Sequence, residues 1–461
     1  MTLFSDTIFA LATPLAKSGV AIIRISGKLA LPTLIQLTGK TSWQPNLATY
    51  CTFFSPMPNA QSPIQIDTGL ALYFAAPKSF TGEDVVELHL HGSLAVIREM
   101  QTVLSEIPGL RHAEAGEFTR RAFMNGKMDL LEAEGLADLI EAETLQQKRQ
   151  SQAQMQGEMS RYYESLRTQM VRALAHLEAY IDFPEEEIPE SVIISLKDDI
   201  HQMVNNITAA LDDGRRGERL REGLTIAIIG APNAGKSSIL NRLAGRDAAI
   251  VSPLAGTTRD VIEIHKEIAG FPVTFLDTAG LRDAADSIEE EGVRRARQRA
   301  AGADLKLIVF DAGQPMDSES RGQIDANSLI ILNKIDCHPG KFCSSKIYPG
   351  SSKAKSQETF GVETINISAL TGEGMDVLMA SITMFIQQKY HTSESILITR
   401  ARHRELLETA KAHLLRIQLD APLELTCEEL RRGAVCLGKI TGKISVDDVL
   451  DVVFSTFCIG K

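Results

Sequence analysis

The sequence predicts a mixed α/β and α chain: an N-terminal α+β domain, then a helical domain interrupted by an inserted doubly wound α/β domain. Three observations predict it. Residues 1 to about 126 carry short apolar strand candidates separated by Gly, Pro and Ser clusters. From about 128 to 182 apolar residues recur mostly at three- and four-residue multiples, with Pro and Gly almost absent. From about 223 to 384 short apolar strands alternate with helical stretches, and the pattern is helical again after Thr399. The expected domains are therefore 1–126, 127–222, 223–384 and 385–461, the second and fourth forming one helical domain.

Taken in order, the first strand candidate is Val20-Ala21-Ile22-Ile23-Arg24-Ile25, in which Arg24 is a charge that wants a carboxylate partner. In Val86–His91, alternation puts Val86, Leu88 and Leu90 on one face and Glu87, His89 and His91 on the other. The His-x-His pair suggests a metal, but a solvated strand face explains it and no third ligand accompanies it. The helical pattern runs through Leu131, Leu139, Leu145, Met155, Met159, Leu166, Met170, Leu174, Leu177 and Ile181, and Asp182-Phe183-Pro184 stops it. A second helix spans about 191–213. The inserted domain has strands at Thr225–Ile229, Val273–Leu276, Leu305–Phe310, Leu329–Leu332 and Thr364–Ile367, with a polar loop at 340–358. A last helix starts at Ser445, with Asp448 completing a capping box.

Composition narrows the class. The chain has 461 residues, enough for two or three domains, and its 44% hydrophobic content supports a sizeable core. Cysteines at 51, 337, 343, 427, 436 and 458 include no C-x-x-C pair, which argues against zinc ribbons and a disulfide framework and for a reducing, cytoplasmic setting. There is no secretion signal and no 18-residue apolar run, so no membrane association is expected. A net charge of −11 excludes indiscriminate coating of nucleic acid; any RNA contact needs a local basic patch.

The chemistry is densest in the inserted domain. Gly230-Ala231-Pro232-Asn233-Ala234-Gly235-Lys236-Ser237 satisfies G-x-x-x-x-G-K-[ST] directly after an apolar strand and before a helical run. In that context backbone N–H groups wrap the β-phosphate, Lys236 neutralises β- and γ-oxygens, and Ser237 ligates Mg²⁺. Asn333-Lys334-Ile335-Asp336 follows the strand Leu329–Leu332; Asp336 can accept hydrogen bonds from the ring N–H and exocyclic amine of guanine, which adenine lacks in that arrangement. Ser368-Ala369-Leu370 resembles the loop that backs this base contact. Between them, Gly256-Thr257-Thr258-Arg259-Asp260 is a switch in which Thr258 reaches Mg²⁺ and the γ-phosphate. In Asp277-Thr278-Ala279-Gly280, Asp277 holds the water shell of the magnesium and Gly280 offers its N–H to the γ-phosphate. Leu281 stands where Ras-like enzymes place the water-orienting Gln. Glu289 is a candidate for that role, although Ile288-Glu289-Glu290-Glu291 reads first as a solvated face, and Arg259 and Arg282 read first as surface ion pairs.

With these residues the chain resembles the tRNA-modifying GTPase family MnmE, also called TrmE, over essentially its whole length. The resemblance rests on Gly-Ala-Pro-Asn-Ala-Gly-Lys-Ser-Ser at 230–238, Ala-Gly-Thr-Thr-Arg-Asp at 255–260, the inserted Ras-like P-loop G domain, Phe-Thr-Gly-Glu-Asp at 80–84 and Phe-Cys-Ile-Gly-Lys at 457–461. It implies GTP contacts at Asn233, Ala234, Gly235, Lys236, Ser237 and Ser238, and at Ser252, Pro253, Leu254, Ala255, Gly256, Thr257 and Thr258. Further contacts are implied at Asp277, Thr278, Ala279 and Gly280, at Asn333, Lys334 and Asp336, and at Ser368, Ala369 and Leu370. It also implies K⁺ beside the phosphates on Asn233, Ser252, Leu254 and Thr257, Mg²⁺ on Ser237 and Thr258, and Glu289 as the catalytic, water-orienting residue. The N-terminal domain is implied to dimerise and to bind 5-formyltetrahydrofolate, or a related tetrahydrofolate, through Arg24, Glu87, Lys127 and Lys461.

The implied activity is a K⁺-stimulated GTPase acting on the wobble uridine of certain tRNAs. It would work as a homodimer in a heterotetramer with an FAD-dependent MnmG (GidA)-type protein, which would hold the FAD. Cys458 reads as structural or site-lining, with a catalytic thiol as the alternative. Basic clusters at Arg215–Arg221, Arg294–Arg299 and Arg400–Arg404 could meet tRNA phosphates, but solvated helix faces explain them at least as well. The competing class is a GTP-controlled ribosome-assembly switch, which shares the P-loop and the Gly-Thr-Thr-Arg-Asp segment.

Overall fold

A computed structural model describes residues 4–55, 64–182, 190–245, 263–277, 302–337, 363–390, 397–418 and 422–444 of the chain, and near the C-terminus 450, 453–455 and 457–460. They form two compact units: Met1–Glu141, Ser151–Ile207 and Glu405–Lys461 make the first, Ala142–Gln150 and Thr208–Arg404 the second.

In the first unit, β1 (Thr7–Leu11), β2 (Ser18–Ser26), β3 (Thr49–Ser55), β4 (Ile64–Phe74), β5 (Val85–Gly92) and β6 (Leu110–His112) form a six-stranded sheet in the order β3-β4-β5-β2-β1-β6. Only the β1–β6 pair is parallel. The alternation read in β5 holds: Val86, Leu88 and Leu90 are buried in the core with Phe9, Ile23, Ile25 and Phe53. Helices α1 (Ala30–Thr38) and α2 (Leu94–Glu106) close that core with Leu34, Leu37, Met100 and Leu104. Helix α3 (Glu117–Met124) follows β6.

The helical stretch at 128–182 is not continuous. It is α4 (Leu130–Glu141), α5 (Leu145–Met155) and α6 (Glu158–Asp182). Two capping boxes set the starts. Asp129 and Glu132 exchange main-chain N–H bonds at 2.9 and 2.8 Å, and Thr144 and Gln147 do the same at 3.2 and 3.0 Å. Gly157, at φ 75°, supplies the left-handed turn before α6. Helix α7 (Glu190–Leu211) matches the second predicted helix.

The second unit contains α8 (Arg216–Glu222), β7 (Leu224–Gly230), α9 (Lys236–Ala244), β8 (Glu263–Ile268), β9 (Phe271–Asp277) and β10 (Leu305–Asp311). It continues with α10 (Ser318–Arg321), β11 (Ser328–Asn333), β12 (Thr364–Asn366) and α11 (Met375–Lys389). The strands form a six-stranded sheet in the order β12-β11-β10-β7-β9-β8, parallel except for β8 against β9. Strand β8 was not anticipated from sequence. It is an edge strand, half polar, with Ile264 and Ile268 buried, joined to β9 through Ala269 and Gly270, both at positive φ as a tight hairpin requires. The predicted loop at 340–358 and the predicted helix start at Ser445 lie outside the described residues.

Near the C-terminus, α12 (Ala401–Leu415) and α13 (Leu423–Thr441) follow, and α13 packs along α6 in the first unit. Phe454 and Phe457 then pack with Leu130 and Ala133 of α4. A β-bridge between Ala115 and Ile459 brings the tail to the N-terminal sheet region.

Candidate nucleotide site

The site lies at the C-terminal ends of β7, β10 and β11, where an open parallel sheet offers a crevice. Gly230 ends β7 with its Cα so near β10 that a Cβ would stand 2.4 Å from the Val309 carbonyl oxygen. The following loop needs left-handed backbone at Asn233 (φ 63°) and Gly235 (φ 95°), and then opens α9. Lys236 is buried, its Nζ donating to the carbonyls of Gly230 and Ala231 at 2.8 and 2.9 Å. The ammonium is thus held inside the loop that its phosphate role requires, beside the helix N-terminus where anions are favoured. Ser238 lies in the first turn of the same helix.

Ser237 Oγ donates to Asp277 Oδ2 at 2.8 Å, joining the P-loop to the end of β9. A hydroxyl and a carboxylate are hard oxygen donors, and their juxtaposition fits Mg²⁺.

The base-reading loops are joined to the P-loop by Asn333. Its Nδ2 donates to the Ala234 carbonyl at 2.9 Å and its Oδ1 accepts from Ala369 N at 3.0 Å. Asp336 Oδ1 accepts from Ser368 Oγ at 2.6 Å, and Ser368 Oγ accepts from Thr371 N at 3.1 Å, which orients the carboxylate. Cys337 Sγ donates to Asp336 Oδ2 at 3.3 Å, and this bond to a carboxylate pushes the thiol pKa up. Lys334 pairs with Asp311 at 2.8 Å. Leu370 is 80% exposed and touches the site only through its loop.

Asn233, Ala234, Gly235, Lys236, Ser237, Ser238, Asp277, Asn333, Lys334, Asp336, Ser368, Ala369 and Leu370 therefore belong to the strand ends, the loops and the first turn of α9 at one end of one sheet. Ser252, Pro253, Leu254, Ala255, Gly256, Thr257, Thr258, Thr278, Ala279, Gly280, Leu281 and Glu289 lie outside the described residues.

A second constellation sits in the first unit. Arg24 on β2 faces Glu87 on β5 in register, donating from Nε and Nη2 to Glu87 Oε1 at 2.9 and 2.8 Å. Its guanidinium lies 5.7 Å from the ring centres of both Phe80 and Phe118, and its Nη1 reaches the Gly460 carbonyl at 3.4 Å. Lys127 Nζ donates to the Pro77 carbonyl at 3.0 Å, so it flanks the 76–84 loop, which joins β4 to β5 and carries Phe80. His89 Nε2 stands 3.6 Å from Glu87 Oε2 and is a buried nitrogen without a hydrogen-bond partner. An oriented carboxylate with one oxygen outside the Arg24 contact, beside an orphaned imidazole nitrogen, fits a ligand with an N–H donor edge such as a pterin. Lys461 lies outside the described residues. Phe80, Phe118 and the Gly460 carbonyl were not singled out for this site from sequence, because pairing across strands and the return of the tail bring them there.

The Phe80–Asp84 loop is braced from beneath. Arg121 is fully buried and pairs with Glu83, Glu117 and Asp6 at 3.0–3.1 Å, while Arg111 pairs with Glu117 and Asp6 at 2.6 Å. Burial raises the pKa of Asp6 and Glu117, but the Arg111 hydrogen bond followed by further donors and the Arg121 charge outweigh it, and both end below their ordinary values.

In two of the basic clusters one arginine turns inward, while Arg215 of the first stays exposed. Arg404 is buried against Asp213 (2.7 Å) and Glu218 (3.0 Å), and Arg219 pairs with Asp304 (3.0 Å), so these guanidinia are spent on internal carboxylates rather than on phosphates. Arg294–Arg299 lies outside the described residues. His91 Nδ1 bonds Asp67 at 2.8 Å on the open strand face. Among the described residues no group of three or more His, Cys, Asp or Glu could hold a metal ion. Among them also, no helix is long and apolar enough to cross a membrane.

A P-loop opening a helix, a magnesium-type Ser–Asp pair and a carboxylate presented for guanine together define a guanine-nucleotide-binding GTPase on a doubly wound sheet. The chain belongs to the MnmE family: residues 130–458 match the model of the MnmE helical domain, and residues 7–127 match that of the GTP-binding protein TrmE N-terminus. Similar proteins include the tRNA modification GTPase MnmE of Parvibaculum lavamentivorans, 48% identical over 99% of this chain and 100% of that one. Those of Paramagnetospirillum magneticum and Rickettsia akari are 45% and 43% identical over the same shares. Among solved structures, the G domain of the T. maritima FeoB iron transporter aligns with 36% of this chain and 99% of that chain at 23% identity and a TM-score of 0.27.

Proposed function

We propose that this chain is a K⁺-stimulated tRNA modification GTPase. With an FAD-dependent MnmG (GidA)-type partner, it takes part in adding a carboxymethylaminomethyl or aminomethyl group at carbon 5 of the wobble uridine of certain tRNAs. The supporting observation is the base-reading loop already assembled around Asp336 and Ser368 in a chain related to MnmE proteins over 99% of its length. Residues 223–384 are the G domain in this reading, 127–222 and 385–461 the helical domain, and 1–126 the part that dimerises and binds folate. The protein works in the cytoplasm as a homodimer within a heterotetramer with its partner.

In the GTPase step, Lys236 leaves the Gly230 and Ala231 carbonyls for the β- and γ-phosphates, an exchange of acceptors within one loop. Ser237 and Thr258 would hold Mg²⁺, with Asp277 beside its water shell, and Asn233, Ser252, Leu254 and Thr257 would hold K⁺. When bound, these cations offset charge developing between the β- and γ-phosphates. Leu281 cannot orient the attacking water, and the family resemblance points to Glu289 for that role. Arg24, Glu87, Lys127 and Lys461 would hold a tetrahydrofolate, the Glu87 oxygen outside the Arg24 contact supplying an acceptor.

The test is wobble-uridine analysis by mass spectrometry in cells lacking the protein, complemented with the wild type or with Glu289→Ala. Loss of the modification, restored by the wild type and not by the variant, is expected. Unchanged modification with accumulation of ribosomal subunit precursors would establish the ribosome-assembly switch instead.

A further inference from the structure

Lys334 is gripped by a carboxylate that no sequence motif marks. Asp311 is the last residue of β10 and stands in register with Asn333 at the end of β11. Its Oδ2 accepts from Lys334 Nζ at 2.8 Å, and its Oδ1 accepts from Gly313 N at 2.9 Å. With both oxygens engaged, the carboxylate has one direction. The next residue, Ala312, donates its N–H to the Asn333 carbonyl at 2.9 Å. The tip of β10 therefore holds the Asn333–Lys334 dipeptide twice, once by main chain and once by the ammonium.

Lys334 is a residue that needs holding. Its φ is 68°, a left-handed conformation uncommon for a residue with a Cβ. Its four-carbon stem loses much rotamer freedom when a ligand orders it. It also lies between Asn333, which ties the P-loop to the 368–369 loop, and Asp336, the residue read as the guanine acceptor, which Ser368 orients. We propose that Asp311 is a positioning residue for guanine-nucleotide binding. By fixing Nζ it orders the Lys334 stem before the nucleotide arrives, so that binding does not have to. The inference rests on the guanine-nucleotide reading of this site.

A double-mutant cycle tests it, using Asp311→Asn, Lys334→Met and the double variant, titrated with fluorescent GDP and GTP analogues. Methionine keeps an unbranched stem without the ammonium. Each single change is expected to weaken both nucleotides by the same factor, about 10-fold, with the double variant no weaker than either single one. The loss in GTP turnover should appear in KM rather than kcat. Additive losses, with or without a lowered Tm, would make Asp311 a support of the fold and overturn the proposal. Unchanged or tighter binding by Asp311→Asn, or a loss confined to GTP, would overturn it too. Failure of the wild type to bind either nucleotide would instead remove the reading of the site itself.

Discussion

At the scale of single residues, selectivity in the proposed function rests on Asp336, whose carboxylate Ser368 orients. Asp336→Asn keeps one acceptor for the ring N–H but replaces the other with an NH₂ donor, which opposes the exocyclic amine of guanine and suits the 2-oxo group of xanthine. Affinity for GTP should fall on the order of 100-fold or more while affinity for XTP rises, as competition binding with the two nucleotides would show. Asn233 makes a different demand. In the proposed site it holds K⁺, so hydrolysis should be faster in K⁺ than in Na⁺ by about 10-fold or more, and Asn233→Ala should shrink that ratio. Steady-state phosphate release in the two salts measures it, and equal wild-type rates would remove K⁺ from the mechanism.

These positions were legible because a P-loop and an Asn-Lys-x-Asp motif are short, local and chemically constrained. Asp311 was not. It is one acid at the end of an apolar strand, and only the parallel register of β10 with β11 shows what it faces.

At the scale of elements, the strand–loop–helix unit of β7 and α9 works because its glycines remove side chains where other groups must pass. A Cβ on Gly235 would stand 2.2 Å from Asn333 Nδ2, at a φ of 95° that disfavours any other residue. Gly235→Ala should therefore push Asn333 from both the Ala234 carbonyl and Ala369 N. Nucleotide affinity is expected to fall about 100-fold, read by equilibrium titration, with far-UV circular dichroism unchanged. The helix boundaries teach the complementary lesson. Periodicity carried the apolar face of α6, where Met159, Leu166, Met170 and Leu177 are buried, but not α5, where Leu145 is exposed and the buried residues are Ser151 and Gln154. It also passed over the Thr144–Gln147 capping box, whose signature is two residues rather than a pattern. Strand β8 escaped for the opposite reason, since an edge strand buries only one face and its other residues look like loop.

At the scale of the whole molecule, charge and chain return decide what sequence pattern cannot. The first unit holds its 76–84 loop over a set of two guanidinia and three carboxylates, of which Arg121, Glu83 and Glu117 are buried and Arg111 and Asp6 reach solvent. Asp6 and Glu117 have folded-state pKa values below their ordinary 3.8 and 4.5, so they bind protons more weakly folded than unfolded. The stability they contribute is complete above about pH 4.5 and is lost as the pH falls through their lowered values. Melting temperature should drop steeply over that acid range. Glu117→Gln should lower it at neutral pH, where the ion pairs act, and flatten the acid dependence. Thermal melts from pH 3 to pH 7 measure both, and a parallel slope in the variant would locate the acid sensitivity elsewhere.

By itself the sequence determined the order of domains, the phosphate loop and the guanine-reading motif, because each depends on residues adjacent in the chain. Only the tertiary structure decided that Arg404 and Arg219 serve internal carboxylates, and that Phe80, Phe118 and the Gly460 carbonyl surround Arg24. It alone showed that Asp311 holds Lys334. The reason is physical: a charged or aromatic side chain takes its role from its nearest partner, and across strands and returning tails that partner is remote in sequence.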